Sequence, residues 1–213
     1  MVSSANSKAL EYSLKSLKIQ EEIGEKKRIA QVLNNIASLY KKQGDISKAL
    51  DYNTKSLKIR EEIGDKRGIA ESLSNIGVYY QNQGDIEKAL AYEIQSLKIR
   101  EEIGDKTGKT YSLNNMGVIY QKQGNYPLAV EYFTKSLLMA KEIGQPEIIK
   151  HTSLNLFDVY KKMGNSKLAL ENYELYIRMR DSLQNEENTK ATIKQQMQYE
   201  YGKKAAADSV QVA

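Results

Sequence analysis

Apolar residues in the stretch "AESLSNIGVYYQNQG" fall at Leu73, Ile76, Gly77 and Tyr80. That spacing of i, i+3, i+4 and i+7 marks one stripe of an α-helix. Gly84 ends the stretch, Asp85 is a good N-cap, and "IEKALAYEIQSLKIREEI" runs as a second helix to Gly104. Asp45 and Asn125 hold the same capping place in their own copies, and Asp65 and Asp105 are placed to cap the other helix. Pro127 and Pro146 each fall in a predicted first turn, where a missing N–H costs nothing. The predicted unit is a hairpin of two helices of about 18 residues each.

The unit repeats. "SLKIREEIGD" occupies residues 56–65 and again 96–105, and "SLKIQEEIGE" stands at residues 16–25. A shift of forty aligns the chain with itself from Ala5 to about Gly164, and residues 45–84 and 85–124 agree at 27 of 40 positions. Such a period marks stacked supersecondary units, each hiding an apolar face against the next. Ser56, Leu57, Ile59 and Ile63 should therefore meet the same neighbours as Ser96, Leu97, Ile99 and Ile103. The "REE" and "DK" of the repeated phrase read as solvated outer charges.

Residues 73–96, "LSNIGVYYQNQGDIEKALAYEIQS", resemble a tetratricopeptide repeat through Ile76, Gly77, Tyr80, Gly84, Asp85, Ala89 and Tyr92. The pattern returns at Ile36, Ala37, Tyr40, Gly44 and Ala49, at Met116, Gly117, Tyr120, Gly124 and Ala129, and more weakly at Leu156, Tyr160, Gly164 and Ala169. Leu33, Leu73, Leu113 and Ser153 replace the family's usual Trp, and Tyr176 replaces the small residue found at Ser56, Ser96 and Ser136. The forty-residue unit is similar to the repeats of kinesin light chain, of LGN-type polarity adaptors and of many bacterial signalling proteins. The resemblance implies an all-α fold, an α-solenoid wound as a right-handed superhelix of helical hairpins with a C-terminal helix.

The chain ends carry further expectations. "SANSKALEYSLKSLKIQEEIG" matches a second helix without its first, read as a longer array cut mid-repeat. The alternative is a natural capping helix with a polar outer face at Lys8, Tyr12 and Lys15. The array is expected over residues 1–185, and residues 186–213 as a capping or linker helix with a frayed tail. Ile193, Met197 and Tyr201 run along one side of that helix. Through "QYEYGKKAAADSV" the segment looks like the one that joins extracytoplasmic repeats to a membrane helix in histidine kinases and nucleotide cyclases of Bacteroidetes-type bacteria, although Gly202 departs from the charge expected there. If that resemblance holds, the segment lies on the periplasmic face of a membrane protein, and otherwise in the cytoplasm.

Counting away from the core stripe locates a binding face on the first helices. Gln31, Asn35, Ser38 and Lys42 point outward. Their copies are Glu71, Asn75, Val78 and Asn82; Tyr111, Asn115, Val118 and Lys122; and His151, Asn155, Asp158 and Lys162. Asn recurs at one place in all four copies although it is a mediocre helix former. Its amide has both a donor and acceptors, so a ladder of Asn could hold the backbone of an extended peptide on a concave face. The kinesin light chain and LGN resemblance implies that use. The alternative is that each Asn bonds the adjacent repeat and fixes superhelical pitch. Lys41, Lys42, Lys122, Lys161 and Lys162 would add a positive rim suited to acidic peptides.

Composition narrows the chemistry. The 213 residues carry a net charge of +5 with both signs interspersed, which argues against a nucleic-acid surface. There is no Cys, and His151 stands alone, so thiol chemistry is excluded and no metal site is expected. The Glu pairs at 21–22, 61–62 and 101–102 diverge on a helix and cannot aim at one bond. No phosphate-cradling or nucleophile-elbow string occurs. No cofactor and no membrane contact are expected in this segment. The expected partner is a protein or extended peptide, with self-association through open solenoid ends, at Leu10, Leu14 and Leu17, as the alternative.

Overall fold

The computed structural model describes the backbone of residues 4–211 and the side chains of residues 6–198. Among the described residues there are nine α-helices and no strand. In order they are α1 (Ser4–Ile23), α2 (Lys26–Lys42), α3 (Ile46–Glu62), α4 (Lys66–Gln83), α5 (Ile86–Glu102), α6 (Lys106–Lys122), α7 (Tyr126–Glu142), α8 (Pro146–Lys162) and α9 (Ser166–Gln211). The fold is an all-α solenoid of helical hairpins. It divides into two units, Met1–Ile143 with α1 to α7, and Gly144–Ala213 with α8 and α9.

Local chemistry sets the boundaries where the sequence puts them. Asp45 accepts from the Lys48 N–H at 3.0 Å, Asp85 from Lys88 at 3.1 Å and Asn125 from Leu128 at 3.3 Å. Asp65 and Asp105 accept from the N–H groups of Gly68 and Gly108 at 3.1 and 3.0 Å. Pro127 and Pro146 lie in the first turns of α7 and α8. Gly84 and Gly104 close α4 and α5 at φ of 85° and 67°, a left-handed conformation that a Cβ would disfavour. The recurring "QG" and "EIG" are these turns.

In the first unit, α2/α3, α4/α5 and α6/α7 form hairpins, and α1 packs on α2. Ile36, Ile76 and Met116 fill the buried stripe, and Ile36 is fully sealed. Each hairpin is closed by a stacked tyrosine pair: Tyr40–Tyr52, Tyr80–Tyr92 and Tyr120–Tyr132, with ring centroids 5.4, 5.5 and 5.2 Å apart. Ser56 Oγ donates to the Ala30 carbonyl, Ser96 to Ala70 and Ser136 to Thr110, at 2.7, 2.7 and 2.9 Å. A small hydroxyl there lets the two helices approach, so the serine of the repeated phrase is a packing residue.

The charges of that phrase depart from expectation. Glu61, Glu62, Glu101 and Glu102 are exposed, but Arg60 and Arg100 are 4% and 6% exposed. Arg60 Nη1 donates to the Gly68 carbonyl at 2.6 Å and to Ser72 Oγ at 3.1 Å, and Arg100 Nη1 donates to Gly108 and Ser112. These arginines join the second helix of one hairpin to the first helix of the next. A buried guanidinium is stable there because carbonyl and hydroxyl oxygens replace water. Burial still lowers both arginine pKa values, against the pull of Glu71 on Arg60 and of Glu93 on Arg100.

The outer side of α1 also differs in detail. Leu10 and Leu17 are half-buried, while Leu14, Ile19 and Ile23 are exposed, as are Lys8, Tyr12 and Lys15.

In the second unit, α8 packs on α9, with Phe157 and Tyr173 rings 5.0 Å apart. Leu156 and Val159 of α8 are buried. The second helix of this hairpin and the C-terminal segment form one continuous helix of 46 residues. Every side chain from residue 184 to residue 198 is exposed, including Ile193 and Met197. The Tyr201 side chain lies outside the described residues.

Candidate functional site

The first helices of the first unit meet side by side through polar contacts. Asn75 Nδ2 of α4 donates to Asn34 Oδ1 of α2 at 2.9 Å. Asn115 Nδ2 of α6 donates to Ser74 Oγ of α4 at 3.1 Å and to Glu93 Oε1 of α5 at 3.3 Å. Lys122 Nζ reaches the Gln81 carbonyl at 3.5 Å. Three helices thus carry one continuous strip.

Along that strip Gln31, Asn35, Lys42, Glu71, Asn82, Tyr111 and Lys122 are exposed or partly so, and Ser38, Asn75, Val78, Asn115 and Val118 are half-buried. In the second unit, α8 exposes His151, Asp158 and Lys162 and half-buries Asn155. The Asn positions are not equivalent in role. Asn35 is exposed to solvent, whereas the amide nitrogens of Asn75 and Asn115 are occupied by the preceding repeat. The contact that would fix pitch is therefore present at both. Nor is the lysine rim all free charge, since Lys122 is directed at Gln81 and Lys161 lies over the Phe157 ring, 5.8 Å from its centroid.

Beneath the strip lies a polar cluster that the sequence reading did not single out. Glu93 is fully buried, and its Oε1 accepts from Ser74 Oγ at 3.0 Å as well as from Asn115. Burial raises the Glu93 pKa, although Ser112, Arg100, Ser74 and Asn115 all favour the anion. Asn53, Phe133 and Tyr173 stand at the equivalent places of the other copies, so this carboxylate belongs to one repeat only. Gly77 faces it: a Cβ there would lie 3.3 Å from Glu93 Oε2 and 3.1 Å from the Ala89 carbonyl. The available signal was a Glu at a position where the helical stripe calls for an apolar residue.

A second feature was also missed. Leu138 is exposed on α7, where the other copies have Lys18, Lys58, Lys98 and Arg178. It lines a cleft of about 760 Å³ with Leu97, Leu113, Tyr132 and Met139. None of the predicted binding residues borders that cleft.

Among the described residues no three His, Cys, Asp or Glu side chains gather as a metal site. His151 Nε2 is 3.7 Å from Glu147 Oε2 on the surface of α8. No described helix is long and apolar enough to cross a membrane.

Paired helices, stacked in register with small residues at the crossings, define a helical-repeat protein of the kind generally used for protein binding. The chain belongs to the tetratricopeptide repeat family, whose model matches residues 6–62, 28–102 and 106–182. No curated protein matches it at a significant level. Among solved structures it is similar to BtubC (BKLC) from P. vanneervenii, at TM-score 0.72 and 20% identity over 85% of this chain and 75% of that one. It is similar to the Rap conjugation gene regulator of plasmid pLS20, solved with the Phr* peptide, at TM-score 0.77 and 21% identity over 84% of this chain and 50% of that one. It is also similar to a signal-transduction ATPase with a tetratricopeptide repeat sensor from Pyrococcus horikoshii, at TM-score 0.69 and 23% identity, over 82% of this chain and 28% of that one. The chain thus spans half or less of the last two. At these identities the likeness is one of fold.

Proposed function

We propose that this chain is a non-catalytic receptor for an extended peptide or protein segment, and that it is the sensory or regulatory region of a larger bacterial signalling protein. The observation that carries the reading is the strip on α2, α4 and α6, where a recurrent Asn is bordered by residues that change from copy to copy. Gln31, Glu71 and Tyr111 occupy one such place and Ser38, Val78 and Val118 another. A constant rung beside variable neighbours suits a ligand gripped by its backbone and chosen by its side chains. The Rap regulator solved with a peptide and the ATPase with a repeat sensor support regulatory binding on this fold.

The test uses 12-residue peptides selected from a random display library against the intact chain. Tyr111→Ala and Val78→Arg should each weaken a selected peptide at least tenfold, with helix content and melting temperature unchanged. Peptides that bind both variants as they bind the parent would remove the strip from consideration.

A second reading is favoured by α1, which exposes Leu14, Ile19 and Ile23 on one helix. Self-association through that helix predicts a sedimentation coefficient that rises with concentration and is flattened by Ile19→Lys with Ile23→Lys. A concentration-independent monomer rules it out.

A further inference from the structure

Asn75 and Asn115 are anchored in the same sense. Each turns its amide nitrogen inward, to Asn34 Oδ1 in one case and to Ser74 and Glu93 in the other. Among the described residues nothing donates to the Oδ1 of either, and neither oxygen is sealed in the interior. At Asn115 the orientation is imposed by chemistry. Glu93 Oε1 is the atom that Asn115 meets, and an ionised carboxylate has acceptors only, so with Glu93 ionised the group facing it must be the NH2 and the group left facing outward the carbonyl oxygen. Glu93 cannot turn away, because it is fully buried and held by Ser74 at 3.0 Å. Reversing the amide would set two oxygens against each other without water between them.

We infer that Glu93 is a positioning residue for the binding strip. From beneath, it fixes Asn115 so that this rung offers an acceptor and reads a donor, a main-chain N–H of an extended peptide. The inference rests on the peptide-receptor reading above and narrows it. A free Asn would serve a donor or an acceptor equally, whereas this rung is committed to one. Glu71, exposed one turn before Asn75, adds acceptor character to the same strip. Because the carboxylate occurs in one repeat only, the commitment sets the register of the ligand at α6.

The experiment reverses the buried pair while keeping the outward atom. Asn115→Asp places a second carboxylate against Glu93 and should weaken a fluorescein-labelled display-selected 12-mer at least tenfold. In the double variant Asn115→Asp with Glu93→Gln, the new amide at position 93 can donate to the new carboxylate at position 115. That pairing leaves an oxygen outward and should restore affinity to within about threefold. On the parent protein, scanning the 12-mer with N-methyl residues should find one position whose lost N–H costs about tenfold. A ligand-free measurement runs beside these. By nitrogen-15 NMR, the Asn115 side-chain amide protons should exchange with water more slowly than those of Asn35, and Glu93→Leu should abolish the difference. Equal exchange at Asn115 and Asn35 would overturn the inference. So would a folded double variant that fails to recover binding, or a parent protein indifferent to every N-methyl position. Selected peptides that ignore Tyr111→Ala would instead defeat the strip as the binding face, with the exchange result still deciding the orientation. A failure to select any binder would remove both.

Discussion

Arg60 Nη1 donates to the carbonyl of Gly68 across the joint between α3 and α4, at 2.6 Å. A Gly68 side chain would meet the capping Asp65 Oδ2 first and would also come within 2.8 Å of Arg60 Cδ. Gly108 and Arg100 repeat the arrangement. Gly68→Ala should therefore destabilise the protein by about 2 kcal/mol, the range of overpacking, despite the helical preference for Ala. Arg60→Ala with Gly68→Ala should lose less than the sum of the two single changes. Denaturant unfolding of the four proteins reads the coupling, and strict additivity would mean the two residues do not share one space.

Glu93 predicts an inverted pH response. Its folded pKa lies above the unfolded value near 4.3, because burial disfavours the anion. The folded state then binds more protons than the unfolded state between those two values. Stability from this group is fully present below about pH 4 and is lost as pH rises through the folded pKa. Asp45 and Asp85 act in the opposite sense. The Lys48 backbone N–H at Asp45 and the Lys88 ammonium at Asp85 lead in holding these pKa values down, so their contribution is present above about pH 4 and fades in acid. The stability difference between Glu93→Gln and the parent isolates the first effect. It should shift in favour of the variant as pH rises from about 4 to about 7, and a pH-independent difference would contradict it.

Ser96→Ala should cost about 1 kcal/mol, the worth of one buried hydrogen bond to the Ala70 carbonyl. Ser96→Leu should cost more, because the hydroxyl sits fully buried between two helices. Thermal melts of the three proteins rank the effects; a Leu variant as stable as the parent would show that the crossing tolerates bulk.

The repeated surface pairs should matter little. Lys26–Glu62, Lys66–Glu102 and Lys106–Glu142 join the ends of each hairpin at 3.0 to 3.4 Å with both partners well exposed. Lys66→Ala should change stability by less than about 0.5 kcal/mol, and less again in high salt. The contrast with Arg60 separates recurrence from energetic weight.

That contrast also explains what the sequence concealed. The hairpins and their caps at Asp45, Asp65, Asp85, Asp105 and Asn125 were legible because they depend on spacing within one helix or one turn. Arg60 and Arg100 were misread because burial there depends on a residue eight positions later, across a turn. A side chain at Gly68 or Gly108 would meet both the Arg stem and the capping Asp. The recurrence of Arg with Gly at that separation, against Ala140 and Ile148 in the last copy, was the signal. The Asn positions were found by counting, but their inward partners were not. Asn34 and Ser74 precede the bonded Asn by 41 positions, and only the stacking of one hairpin on the next brings them together.

The unbroken course of α9 gives the second unit a pointer. Beyond Leu183 its helix continues for 28 residues to Gln211, roughly 40 Å at the usual rise per residue. A swing of about 10° at the root would carry the tip sideways by roughly 7 Å over that reach. Motion too slight to disturb the packing of Phe157 on Tyr173 would be magnified to the width of a side chain at the far end.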